Sequence, residues 1–162
     1  MIDRILPGVS HLQNLHPLFV HFPIAFLYGA ALLYLLALIK IRTSEPLKWS
    51  AFWMLMLGAA GVAASIATGL YAEPGVMVAE SVRDQLLKHH KNLMLTASAL
   101  TGVVTIWALA TRPMPSRGRY VFLAALLVVM VLIAAGADFG GRMVYDYNAG
   151  GAACPQPIDF SK

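Results

Sequence analysis

Apolar runs of membrane-crossing length, separated by short polar loops, set the pattern of this chain. Residues 18–39, 49–72, 92–111 and 120–137 contain no Asp, Glu, Lys or Arg. A helix needs about 20 such residues to cross a hydrocarbon layer. The pattern predicts an all-α integral membrane protein with four transmembrane helices, folded as one domain over residues 1–162 with a polar tail over 138–162. Short loops between successive spans predict an up-down four-helix bundle. Each half opens on a histidine pair, turns at a basic loop and returns on a helix rich in small residues. The bundle therefore reads as two hairpins of like orientation.

Helix ends are legible too. Pro17 and Pro23 bracket the start of the first span. Proline lacks an N–H, so regular helix is expected from near Phe22, with Pro23 in its first turn. Ser81-Val-Arg-Asp84 has the outline of a capping box at the start of the third helix, with Asp in place of Glu. Trp49, Trp53 and Tyr120 occupy the positions of interfacial anchors. Gly58, Gly61, Ser65 and Gly69 form a stripe of small residues that suits close helix packing, or a flat macrocycle lying against backbone.

Composition removes the soluble alternative: 59% of residues are hydrophobic and 12% charged, against roughly a quarter charged in a soluble domain. Charge is also distributed unevenly. Lys40, Arg42 and Lys48 follow the first span with one acid, Glu45, and Arg112, Arg117 and Arg119 follow the third with none. The other side mixes signs, with Glu73, Glu80, Arg83, Asp84 and Lys88 in the middle loop and Arg142, Asp146 and Asp159 in the tail. The positive-inside rule then places both hairpin loops in the cytoplasm and both termini outside, in the periplasm of a bacterial inner membrane. The net charge of +4 comes largely from these anchors and gives no nucleic-acid patch. Residues 1–15 lack the apolar core and cleavage site of a signal peptide. The single cysteine, Cys154, excludes an internal disulfide, and the absence of Cys-x-x-Cys-His excludes c-type haem attachment. Cys154 is either a free thiol or a link to a partner or metal.

Four of the five histidines fall at the outer mouth of the bundle: His16 and His21 before the first span, His89 and His90 before the third. Titratable side chains there need a reason, because burying them without partners is costly. On a helix His16 and His21 are about 140° apart and His89 and His90 about 100° apart. Neither pair has the i, i+4 spacing that grips one ion. Each pair is expected to turn one member inward, and opposed imidazoles on separate helices of a bundle hold the iron of a b-type haem. The preferred ligands are His21 and His90. His16 and His89 are then alternative ligands, propionate partners or ligands of a second haem. Lys88, Lys91 and Arg142 are candidates to meet propionates, and Asp138 to orient a ligand imidazole. The plainer alternatives are interfacial histidines bonded to water or backbone, and Arg142 paired with Asp138.

His16-Pro17-Leu-Phe-Val-His21-Phe-Pro23-Ile, the His89-His90 dyad and Gly140-Gly141-Arg-Met-Val-Tyr145 together resemble the bacterial membrane family known as domain of unknown function 2231. The resemblance spans essentially the whole four-helix region. It implies a small inner-membrane protein, sometimes joined to or beside c-type cytochrome modules, related to cytochrome b-like bundles and without an established activity. The chain departs from dihaem cytochromes of the b-561 type, which carry histidines near both membrane faces. Two stacked haems spanning the membrane are therefore not expected.

Three functions fit these residues. The leading one is a membrane-embedded haem b electron-transfer protein, or a subunit of a respiratory or photosynthetic complex. Its expected partners are the lipid bilayer, other membrane or periplasmic redox subunits such as a c-type cytochrome, and quinone. The second is a non-haem protein binding copper or zinc through its imidazoles. The third is a cofactor-free scaffold or assembly subunit. No nucleophile elbow, phosphate-binding glycine loop or zincin helix is present, which points away from a stand-alone catalyst.

Overall fold

The computed structural model describes residues 15–39, 44–76, 78–147 and 149. Helix α1 spans His16–Ile39, α2 Ser44–Ala72, α3 Glu80–Thr111 and α4 Arg119–Tyr147. A short 3-10 turn, Glu73–Gly75, ends α2, and α3 widens into a π-helical stretch at Arg83–Leu87. All four helices are long and apolar enough to cross a membrane, and no strand occurs among the described residues. This is the all-helical, four-span architecture expected from the apolar runs.

Helices α1 and α2 pack as one close hairpin and α3 and α4 as another, while α2 borders α3 and α4 borders α1 much more sparsely. Helices α1 and α3 therefore face each other across the bundle diagonal. Within the first hairpin the approach is set by small residues. A Cβ at Gly58 would come within 2.7 Å of Leu27, and one at Gly61 within 2.9 Å of Pro23. The first part of the small-residue stripe thus serves helix packing, as expected where lipid supplies no hydrophobic drive between helices.

The tight core lies in the half nearer the basic loops. Leu27, Tyr34, Leu55, Val104, Phe122, Leu126 and Val129 are fully buried there. Tyr34 meets Phe122 edge to face at 5.1 Å, and Trp107 meets Phe122 at 5.7 Å. The Tyr34 hydroxyl donates to the Pro113 carbonyl at 2.8 Å, tying α1 to the α3–α4 loop. The Tyr28 hydroxyl donates to the Met130 carbonyl of α4 at 3.0 Å. Trp49, Trp53 and Tyr120 are exposed at this end, and Tyr71, Tyr145 and Tyr147 at the other, giving two aromatic bands.

Three helix ends differ from expectation. Helix α1 starts at His16, not near Phe22, and runs through Pro23. Pro17 suits a first helical turn, and Pro23 removes only its own bond to the carbonyl four residues back while its ring packs over Gly61. The capping box at Ser81 does not form: Ala79 is the N-cap and no side chain bonds there. That end is held instead by Arg83 Nη2 donating to the Val76 carbonyl at 2.8 Å, and by a small second core of Val82, Leu86, Leu87, Met143 and Ala149. The same core carries α4 on to Tyr147, so residues 138–147 of the expected polar tail are helical.

Candidate functional site

A single stripe runs down α1 through His16, Pro23, Leu27, Ala30 and Tyr34, at the spacing of one helix face. All but His16 are fully enclosed in the bundle. A second stripe on α3 joins His90 to Ala97, Thr101, Val104 and Ala108, which are buried. Continuous helix through both entrances therefore turns His16 and His90 inward on the two diagonal helices. Their ring centres are 6.4 Å apart with planes at 83°.

Each ring is seated on the returning helix of its own hairpin, in matching ways. His90 Nδ1 lies 2.7 Å from the Gly136 carbonyl of α4, and a Cβ at Gly140 would be 3.1 Å from its Nδ1 and Cε1. His16 Nδ1 lies 3.2 Å from Thr68 Oγ1 of α2, with the Ser65 backbone also in reach, and a Cβ at Gly69 would be 3.0 Å from its Cε1. In both hairpins the glycine stands four residues after the residue whose backbone meets the imidazole.

These contacts assign the tautomers. A carbonyl can only accept, so His90 donates from Nδ1. The Thr68 hydroxyl is directed to the Ala64 carbonyl at 2.9 Å, so it offers His16 a lone pair and His16 also donates from Nδ1. In each neutral ring Nε2 then carries the lone pair, the form in which histidine binds metals.

The two rings line a cavity of about 460 Å³ in the histidine half of the bundle, walled by all four helices. That size lies within the range of small-molecule and cofactor sites, roughly 300–1,000 Å³. Its walls are mostly apolar, with Val20, Ile66, Met94 and Ile133 among them. Ser65 is among its lining residues, with its hydroxyl enclosed in protein and without a hydrogen-bond partner among the described residues. At the mouth Lys91 Nζ meets both Glu73 carboxylate oxygens at 2.8 and 2.9 Å, bridging α3 to the turn after α2. Among the described residues no three His, Cys, Asp or Glu side chains gather as a metal-binding group.

The remaining candidates lie elsewhere. His21, the ligand preferred from sequence, is exposed at the cavity rim and donates from Nδ1 to the Pro17 carbonyl at 2.8 Å. It is His16 that meets His90, because α1 begins early enough to carry His16 onto the inward stripe. His89 is exposed and stacks on Phe139 at 5.5 Å. Asp138 is exposed and lines no part of the cavity, and the carbonyl of Gly136 does the orienting expected of it. Arg142 faces Asp146 at 3.9 Å, not Asp138. Lys91 is at the mouth as expected, paired there with Glu73 of the turn after α2. Thr68 and Gly136 belong to no motif named above, whereas Gly140 opens the Gly140–Tyr145 motif; the signal for both glycines was the small residues near the outer end of each returning helix. His11 and Cys154 lie outside the described residues.

Over residues 12–153 the chain matches the family described as predicted membrane protein, domain of unknown function 2231. No curated protein and no solved structure matches it. The chain belongs to that family.

Proposed function

We propose that this protein is a b-type haem electron-transfer protein, or a subunit of a larger redox complex, with His16 and His90 as the axial ligands. The observation that carries the reading is the opposed imidazole pair. Two imidazoles on separate helices can hold one ion only if their rings come close together. The observed separation is 6.4 Å. In both rings Nδ1 is engaged by the ring's own hairpin, which leaves Nε2 for a ligand.

The number of donors selects the group. Haem iron takes four nitrogens from its macrocycle and asks the protein for two. Zinc or copper held by side chains alone asks for three or four, and the described residues bring only two imidazoles together here. The apolar walls suit a macrocycle, and the Lys91 ammonium at the mouth suits its acidic substituents. The haem would supply one-electron exchange. The protein holds the two imidazoles in one orientation, each by a contact to its own Nδ1.

The basic residues Lys48, Arg112, Arg117 and Arg119 sit at the opposite end from the site, so the positive-inside rule puts the histidine end on the periplasmic face of a bacterial inner membrane. Electrons would then be exchanged with a periplasmic or membrane partner such as a c-type cytochrome. A reduced-minus-oxidised visible spectrum of purified protein, with pyridine haemochrome quantitation, tests this. A b-type band close to one haem per chain is expected, lost in His16→Ala and in His90→Ala and kept in His21→Ala and His89→Ala. A haem-free protein after expression with ample haem, or retention of the band in both inward-histidine variants, overturns it.

A further inference from the structure

Imidazoles aside, the charged side chains that line the cavity among the described residues are Glu73 and Lys91, and they are paired with each other. Lys91 Nζ donates to both Glu73 carboxylate oxygens, at 2.8 and 2.9 Å, across the α2–α3 seam. The turn that carries Glu73 is tied to α3 a second time. Arg83 Nη2 donates to the Val76 carbonyl at 2.8 Å, and Val76 packs against the small core of Val82, Leu86 and Leu87. Glu73 can therefore part from Lys91 without releasing the turn. Parting them costs little, because the Lys91 and Glu73 side chains are 39% and 28% exposed and a partly exposed ion pair is weak.

An acid entering the cavity changes this balance. One ammonium does not neutralise two carboxylates, and two carboxylates brought to it repel each other. An occupant's acid and Glu73 are thus alternatives for Lys91. The exchange is close to even in bond strength, since both are charge-assisted bonds between an ammonium and a carboxylate.

We propose that Glu73 is a stand-in for a carboxylate of the occupant: it orients Lys91 before binding and gives it up on binding. The site is matched to an apolar molecule with an acidic edge, and Glu73 holds its affinity below what Lys91 alone would give. The proposal rests on the haem reading for the occupant, whose propionates are such acids, and not on iron ligation by His16 and His90. A pair that merely braces the mouth predicts the opposite sign, because removing Glu73 would then loosen the site and weaken binding.

The test is fluorescence titration of the full chain in detergent with metal-free protoporphyrin IX and with its dimethyl ester, which share the ring and differ in the acids. The ratio of acid to ester affinity is compared between variants at one detergent concentration, so that partition into the micelle cancels. Glu73→Gln should raise that ratio about two- to threefold, the fold-change that a partly exposed ion pair represents. Glu73→Ala should do the same, and serves if the glutamine variant does not fold. Lys91→Met should lower the ratio by at least as much. The double variant of His16 and His90 to Ala should lose the b-type band with haem and keep the wild-type ratio, which separates this proposal from the ligand assignment. A lower ratio in both Glu73 variants, a ratio untouched by Lys91→Met, or a wild type that binds neither porphyrin, overturns it.

Discussion

Two adjacent glycines of α4 should respond oppositely to the same substitution. At Gly140 a Cβ would lie 3.1 Å from Nδ1 and Cε1 of His90. The ring must yield by a few tenths of an ångström, and it is held by a 2.7 Å bond to the Gly136 carbonyl. Yielding strains or breaks that bond, a loss of about 1 kcal/mol net, and crowding a packed site costs about 1–3 kcal/mol. Replacing glycine by alanine within a helix returns about 1 kcal/mol. Gly140→Ala should therefore be destabilised by about 1–3 kcal/mol. At Gly141 the Tyr145 ring alone among the described residues lies near, at 3.9 Å, so Gly141→Ala keeps most of the helical gain and should be stabilised by up to about 1 kcal/mol. Unfolding in mixed micelles by SDS, followed by circular dichroism, measures both. Equal stability for the two variants, or a more stable Gly140→Ala, would refute the seating of His90 against α4.

Tyr34→Phe should cost about 1–2 kcal/mol, because it leaves the Pro113 carbonyl without the buried 2.8 Å hydroxyl bond; an unchanged unfolding midpoint would show the bond is not made. Glu73→Gln should cost only about 0.5 kcal/mol, since both partners are partly exposed (39% for Lys91 and 28% for Glu73), and the loss should shrink at high salt. A larger, salt-independent loss would mean the pair is more enclosed than described. Haemin added at about 100 times its Kd should stabilise the wild type by about 2.7 kcal/mol and leave His90→Ala unshifted in thermal melts. Equal shifts in the two proteins would locate haem elsewhere.

The fold was legible because lipid imposes a simple rule: helices must satisfy their own backbone, and apolar length alone then marks each span. Placing the histidines at one end and turning one of each pair inward also followed from spacing. Which member turned inward did not. The choice between His16 and His21 depended on whether α1 began at His16 or near Phe22, and Pro23 reads locally as a helix boundary. It is no boundary here because Gly61, far away in sequence, makes room for the ring. His90 was reachable without such knowledge, since α3 runs unbroken past it on the register of Ala97 and Thr101. The seats were the least legible. The Gly136 carbonyl is backbone and has no sequence signature, and Thr68 reads as one more small helical residue until α1 is docked against it.

The bundle is uneven along its length, and the unevenness bears on function. Between helices in lipid there is little hydrophobic drive, so an empty space costs the packing contacts its walls would have made. The half near the basic loops makes those contacts fully, through Tyr34, Phe122 and Trp107 and the bond from Tyr28 to α4. That half holds the two hairpins together and lets the other half stay open around His16 and His90. Because each histidine belongs to a different hairpin and is tied to it by its own Nδ1, a ligand taken between them would join the two hairpins. Binding and folding are then linked: whatever occupies the site raises the stability of the bundle in proportion to its affinity. Loosening the hairpin seam at the closed end weakens the same site from a distance.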